Sequence, residues 1–91
     1  MKKRAHLLIT GDVTGVGYRY WTYTNAKILG LSGFVRNIEN GRVEAVFEGE
    51  MGKVKEMVEK CKLGPEVSLV KNLEERGETA TDEFSEFEIR H

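Results

Sequence analysis

The sequence has one cysteine, Cys61, and one proline, Pro65. A single thiol excludes an internal disulfide framework and fits a reducing compartment. No run approaches the roughly 18 apolar residues of a membrane-spanning helix, and no apolar signal-like segment opens the chain. The expectation is a cytoplasmic protein with no membrane partner. Neither sign of charge is in excess: 14 Lys and Arg stand against 15 Asp and Glu, a net charge of -1. A general nucleic-acid binder normally carries a basic surplus, so no nucleic-acid partner is expected. An RNA-binding module would also interleave aromatic and basic residues on central strands, whereas Gly17-Tyr18-Arg19 falls in a predicted loop. The two histidines, His6 and His91, lie far from each other and from Cys61. That gives no zinc spacing, so neither a metal nor a cofactor is expected. No serine or cysteine has a base beside it, and there is no internal repeat.

What is present reads as one domain over residues 1–91, with 40% hydrophobic and 32% charged residues, enough for one modest core. His6 to Thr10 reads as a buried strand ending at Gly11. Tyr20 to Leu29 reads as a helix with Thr22, Ala26 and Leu29 on one face and Trp21 and Ile28 beside them. Gly30 suits a left-handed C-terminal cap, with Leu31 as its apolar contact. Gly33 to Ile38 and Arg42 to Glu48 are predicted strands joined by Asn40-Gly41, a pair suited to positive φ. Val54, Met57, Val58 and Cys61 form the stripe of a helix over Met51 to Lys62, stopped by Gly64-Pro65. Val67 to Leu73 is a fourth strand. The polar stretch Glu74 to Glu83 reads as a loop, and Phe84 to Ile89 as a short last strand with Phe87 and Ile89 inward. Lys2, Lys3 and Arg4 read as a solvated basic start, and Asp82, Glu83, Glu86 and Glu88 as a solvated acidic edge. The order β-α-β-β-α-β plus a short C-terminal strand predicts an α+β, ferredoxin-like sandwich: one mostly antiparallel sheet with two helices on one face.

The segment Gly11-Asp12-Val13-Thr14-Gly15-Val16-Gly17-Tyr18-Arg19 joins the first strand to the first helix. Gly15 and Gly17 permit a tight turn, whose successive amides can converge on an anion. The turn feeds a helix N-terminus, which favours negative charge. Arg19 adds a planar cationic fork suited to phosphate oxygens. This is not a P-loop, since no Gly-Lys-Ser/Thr follows, and Tyr20 stands where a dinucleotide fingerprint needs its third glycine. A plain strand-to-helix turn with a solvated arginine explains the same residues. Asn37 lies in a predicted strand, where asparagine is disfavoured. It suits either a water-holding amide or a strand end near the Asn40-Gly41 turn.

The two segments together resemble the acylphosphatase family. The first stands in that family roughly as Gly-x-Val-Gln-Gly-Val-x-Phe-Arg. The second, here Gly33-Phe34-Val35-Arg36-Asn37 continuing to Gly41, Val43 and Gly49, keeps the family order and spacing. Ala26, Leu29-Gly30-Leu31, Gly64-Pro65 and the pair Phe87 and Ile89 extend the likeness over nearly the whole chain. The resemblance implies a free-standing, metal-free hydrolase acting on a small-molecule acyl phosphate. Arg19 and the amides of Gly15, Val16, Gly17, Tyr18 and Arg19 would hold the phosphoryl group, and Asn37 would orient the attacking water. A monomer is expected. Two residues depart from the pattern: Thr14 replaces the family Gln and Tyr18 the family Phe. Thr14 motivates an alternative, an anion-binding module of the same fold with weak or no catalysis.

Overall fold

Ala5, Leu7 and Ile9 are fully buried and alternate along β1, Lys2–Asp12. Period-two alternation gives that strand one core face and one outer face. The computed structural model describes Met1–His91. After β1 come α1 (Tyr18–Ile28), β2 (Ser32–Ile38), a 3-10 turn (Glu39–Gly41), β3 (Arg42–Glu50), α2 (Met51–Leu63), β4 (Leu69–Glu78) and β5 (Phe87–Arg90). The strands form one five-stranded sheet in the order β4-β1-β3-β2-β5. Every neighbouring pair is antiparallel except β2 with β5. Helix α1 packs over β2 and β5, and α2 over β1, β3 and β4. This is the ferredoxin-like arrangement expected from the element order.

The core lies between helices and sheet. From α2 it takes Val54, Met57, Val58 and Cys61, the whole predicted stripe. From α1 it takes Tyr18, Thr22 and Ala26, with Trp21 and Leu29 packed against its margin; Ile28, expected beside that face, is 75% exposed. Phe47 of β3 and Phe87 of β5 stack with centroids 5.4 Å apart. Each such ring buries more apolar area than the aliphatic side chains around it. Helix α1 ends in a Schellman motif: the Gly30 amide donates to the Lys27 carbonyl and the Leu31 amide to the Ala26 carbonyl, with Gly30 at φ 71° and Leu31 buried. Asn40 and Gly41 both sit at positive φ, 63° and 69°, between the paired residues Ile38 and Arg42.

The structure corrects several boundaries. β1 begins at Lys2, four residues earlier than expected, because its basic residues pair across strands: Lys2 opposite Glu50 and Arg4 opposite Glu48. Arg4 is not a solvated terminal residue; its guanidinium bonds Glu78 and Glu83. β4 runs on through Glu78 into the stretch expected to be a loop, with Glu74 opposite Leu8 and Glu78 opposite Arg4. Phe84 to Glu86 precede β5 instead of forming its start. Phe84 packs edge-on against Phe34 on the face of the sheet away from the helices, 5.8 Å between centroids. That crossing is anchored by the buried Glu48 carboxylate, which accepts from the Thr81 amide at 2.9 Å and the Asp82 amide at 2.7 Å. Two amides and the nearby Arg4 compensate a charge that would be costly to bury alone. Asp82 and Glu83 are therefore tied down, Asp82 also to Lys2.

Candidate active site

The chain between β1 and α1 turns through two left-handed glycines, Gly15 at φ 73° and Gly17 at φ 78°. A β-carbon added at either would meet nothing within 4 Å. The requirement there is for backbone conformation, not for space. Gly17 is the N-cap of α1, and no side chain caps that end. The helix therefore starts at Tyr18, two residues before the expected position, and Tyr18 and Arg19 belong to its first turn. None of the turn and loop backbone bonds is donated by an amide between Thr14 and Tyr20. The N-terminal amides of α1 and those of the preceding turn are thus free to receive an anion, at the positive end of the helix dipole.

Those residues border an open cavity of about 250 Å³, lined by Gly15, Gly17, Tyr18, Arg19 and Asn37 among others. Asn37 reaches it from the far end of β2. It pairs with the buried Val43, so its side chain emerges on the helix-bearing face of the sheet. No protein group bonds its amide, and no carboxylate lies within ion-pair distance of Arg19, as for Arg42 and Arg76, whereas Arg4, Arg36 and Arg90 are paired. The Arg19 guanidinium instead approaches the His91 imidazole, Nη1 to Nδ1 3.3 Å. Arg19 is thus a half-buried guanidinium without an acidic partner, and its permanent charge suits it to an anion.

Not every residue named from the sequence faces the cavity by its side chain. Val16 does not line it; its side chain packs against the core. Tyr18 is buried, and its hydroxyl donates to the Cys61 carbonyl at 2.7 Å. Burial holds that phenol far above its ordinary titration range. Burial also pushes the Cys61 thiol up to about 12, leaving it inert beside the site. Thr14 is exposed and lies outside the lining. Four lining residues went unnamed as site residues: Val13, Tyr20, Ile89 and His91. The alternation that turns Phe87 and Ile89 inward carries on to His91, and the parallel pairing of β5 with β2 brings that end beside Arg19. Tyr20 follows Arg19 directly in the first helical turn.

A family model described as Acylphosphatase matches residues 5–89. The chain is similar to the acylphosphatase of Syntrophobacter fumaroxidans, 50% identical over 97% of this chain and 91% of that protein. It is similar to the acylphosphatase of Trichormus variabilis, 51% identical over 77% of this chain and 69% of that one. Among solved structures, the acylphosphatase from Bacillus subtilis superposes with a TM-score of 0.93 at 30% identity, covering 100% of both chains. The glycine turn, the free arginine and the strand asparagine thus stand in a sequence that matches one family almost from end to end: the chain belongs to the acylphosphatase family.

Proposed function

We propose that the cavity beside α1 hydrolyses acyl phosphates by direct attack of water on a phosphoryl group held by Arg19 and the amides of Gly15 to Arg19. The observation that carries this is that Arg19 and Asn37, from two elements, line one cavity bordered by amides without a partner in the protein. The bond to be broken joins phosphorus to a carboxylate oxygen. A carboxylic acid titrates near ~4, so the carboxylate leaves unprotonated and no general acid is required. Phosphoryl transfer then asks the protein for positioning and charge stabilisation. The amides and Arg19 neutralise the charge on the non-bridging oxygens, in preformed geometry. The Asn37 carboxamide oxygen accepts a hydrogen bond from the water and fixes its approach in line with the leaving oxygen. As the new P–O bond forms, the bridging pair departs with the carboxylate. The water's proton is released to the phosphate product or to solvent.

The exposed position of Thr14, outside the lining, leaves these donors in place despite the departure from the family Gln. That favours catalysis over a binding-only module. The test is phosphate release from acetyl and benzoyl phosphate by purified protein, with and without EDTA. Release that is indifferent to the chelator is expected. Phosphate binding without turnover, or turnover that depends on a metal, would overturn the reading.

A further inference from the structure

Tyr20 is among the large hydrophobic residues left most open to solvent, 69% exposed, yet it borders the same cavity as Arg19 and Asn37. It adds little to the core. Its hydroxyl has no hydrogen-bond partner in the protein, and the ring borders the cavity with much of its surface uncovered. The ring is supported from behind. Tyr23, one turn along α1, stacks on it with centroids 6.3 Å apart and planes 28° apart. Lys27 Nζ in turn sits 5.4 Å from the Tyr23 centroid. A ring held in this way has few rotamers to lose when a ligand meets its free surface. The lining is accordingly of two kinds: Arg19 and Asn37 bring polar groups to the cavity, and Tyr20 and Ile89 bring apolar surface.

We propose that Tyr20 is a specificity-determining residue: its ring takes the acyl portion of the substrate, so acyl phosphates with a flat or bulky apolar acyl group are preferred to acetyl phosphate. This rests on the phosphoryl-binding reading of the same cavity, because a phosphoryl group anchored on Arg19 and the turn amides would leave the acyl group to meet the neighbouring Tyr20 ring. Contact of an apolar or aromatic group with such a ring is worth roughly a two- to tenfold preference.

The experiment has two arms on the full chain, each comparing wild type with Tyr20→Ala and Tyr20→Phe. One arm measures kcat/KM for benzoyl phosphate and for acetyl phosphate. The other measures calorimetric Kd values for benzylphosphonate and methylphosphonate, which cannot be turned over at a carboxyl-phosphate bond. Both aromatic-to-methyl ratios are expected to fall several-fold in Tyr20→Ala and to be retained in Tyr20→Phe. Active enzymes whose ratios are unchanged in Tyr20→Ala would overturn the assignment of Tyr20 while leaving the hydrolytic reading intact. A wild type that hydrolyses neither substrate, but whose phosphonate ratio still falls in Tyr20→Ala, would sink the hydrolytic reading and support the aromatic wall. A ratio that also falls in Tyr20→Phe would mean that the hydroxyl, not the ring face, makes the discrimination, and would overturn the proposal as stated.

Discussion

Tyr18 shows how much one hydroxyl does beside the site. Its ring packs at 5.5 Å from Trp21, while its oxygen bonds the carbonyl of Cys61 in the last turn of α2. The last four carbonyls of a helix have no partner within it, so this bond satisfies an orphan and ties the start of α1 to the end of α2. A phenylalanine fills the same space and leaves that carbonyl unpaired. Tyr18→Phe should therefore lose about 1 kcal/mol of stability, with a range of roughly 0.5 to 3, read as a lower urea midpoint at unchanged slope. An unchanged midpoint would mean that water already serves the carbonyl. Arg19 and Asn37 are residue-scale features of another kind. Both leave hydrogen-bonding capacity unspent in the protein while lining one cavity, which is what the proposed ligand-facing role requires of them.

At the scale of elements, the glycine turn is a conformational device. Gly15 and Gly17 have open space where a side chain would go, so alanine at either place meets no clash. Its cost comes from a positive φ, roughly 1–2 kcal/mol for an L-residue. Relief of that strain would rotate the neighbouring amides, which the proposed function needs turned towards the cavity. Gly15→Ala and Gly17→Ala should thus weaken competitive inhibition by inorganic phosphate several-fold while the protein remains folded by circular dichroism. Phosphate inhibition equal to wild type would show that the amides do not depend on these conformations. The same scale shows what the sequence conveys and what it does not. The α2 stripe and the Gly30 cap were legible because burial and backbone geometry each demand particular side chains. The second half of β4 was not. It pairs only with β1, at the edge of the sheet, and Glu74 to Glu78 bond through their backbones while their side chains meet solvent, Arg4 or His6. An edge strand held by main-chain bonds needs no apolar alternation, so its sequence looks like a loop. The helix start at Tyr18 was hidden for a related reason: the cap is a backbone conformation of Gly17, with no capping side chain to announce it.

At the scale of the whole molecule, charge pairs run across the face of the sheet that the helices leave open. Glu44 accepts from His6 at 2.7 Å and also from Arg36. Burial alone would raise its pKa, but bonds from Arg36 and His6 hold it below the ordinary 4.5. Backbone amides of Gly52 and Lys53 lower Glu50, and Arg4 lowers Glu83. Between the ordinary and the depressed values the unfolded chain binds more protons than the folded one, so stability falls as pH falls. The urea midpoint should hold steady above about pH 5 and drop below pH 4.5 as these groups protonate, with a shallower drop in Glu44→Gln. An equal drop in that variant would remove Glu44 from the account. The site itself was half legible at this scale. Arg19 and Asn37 stand out by type and position, but their meeting depends on β2 lying between β3 and β5, with α1 above. His91 and Ile89 join them only through that parallel pairing. The central claim is that these two elements divide one task, Arg19 holding the phosphoryl group and Asn37 holding the water. The most direct test measures turnover and phosphate inhibition side by side in Asn37→Ala and Arg19→Ala. Asn37→Ala should lose roughly a hundredfold or more in kcat yet keep its inhibition constant for phosphate. Arg19→Ala should raise that constant roughly ten- to hundredfold. Full turnover in Asn37→Ala, or undiminished phosphate inhibition in Arg19→Ala, would contradict it.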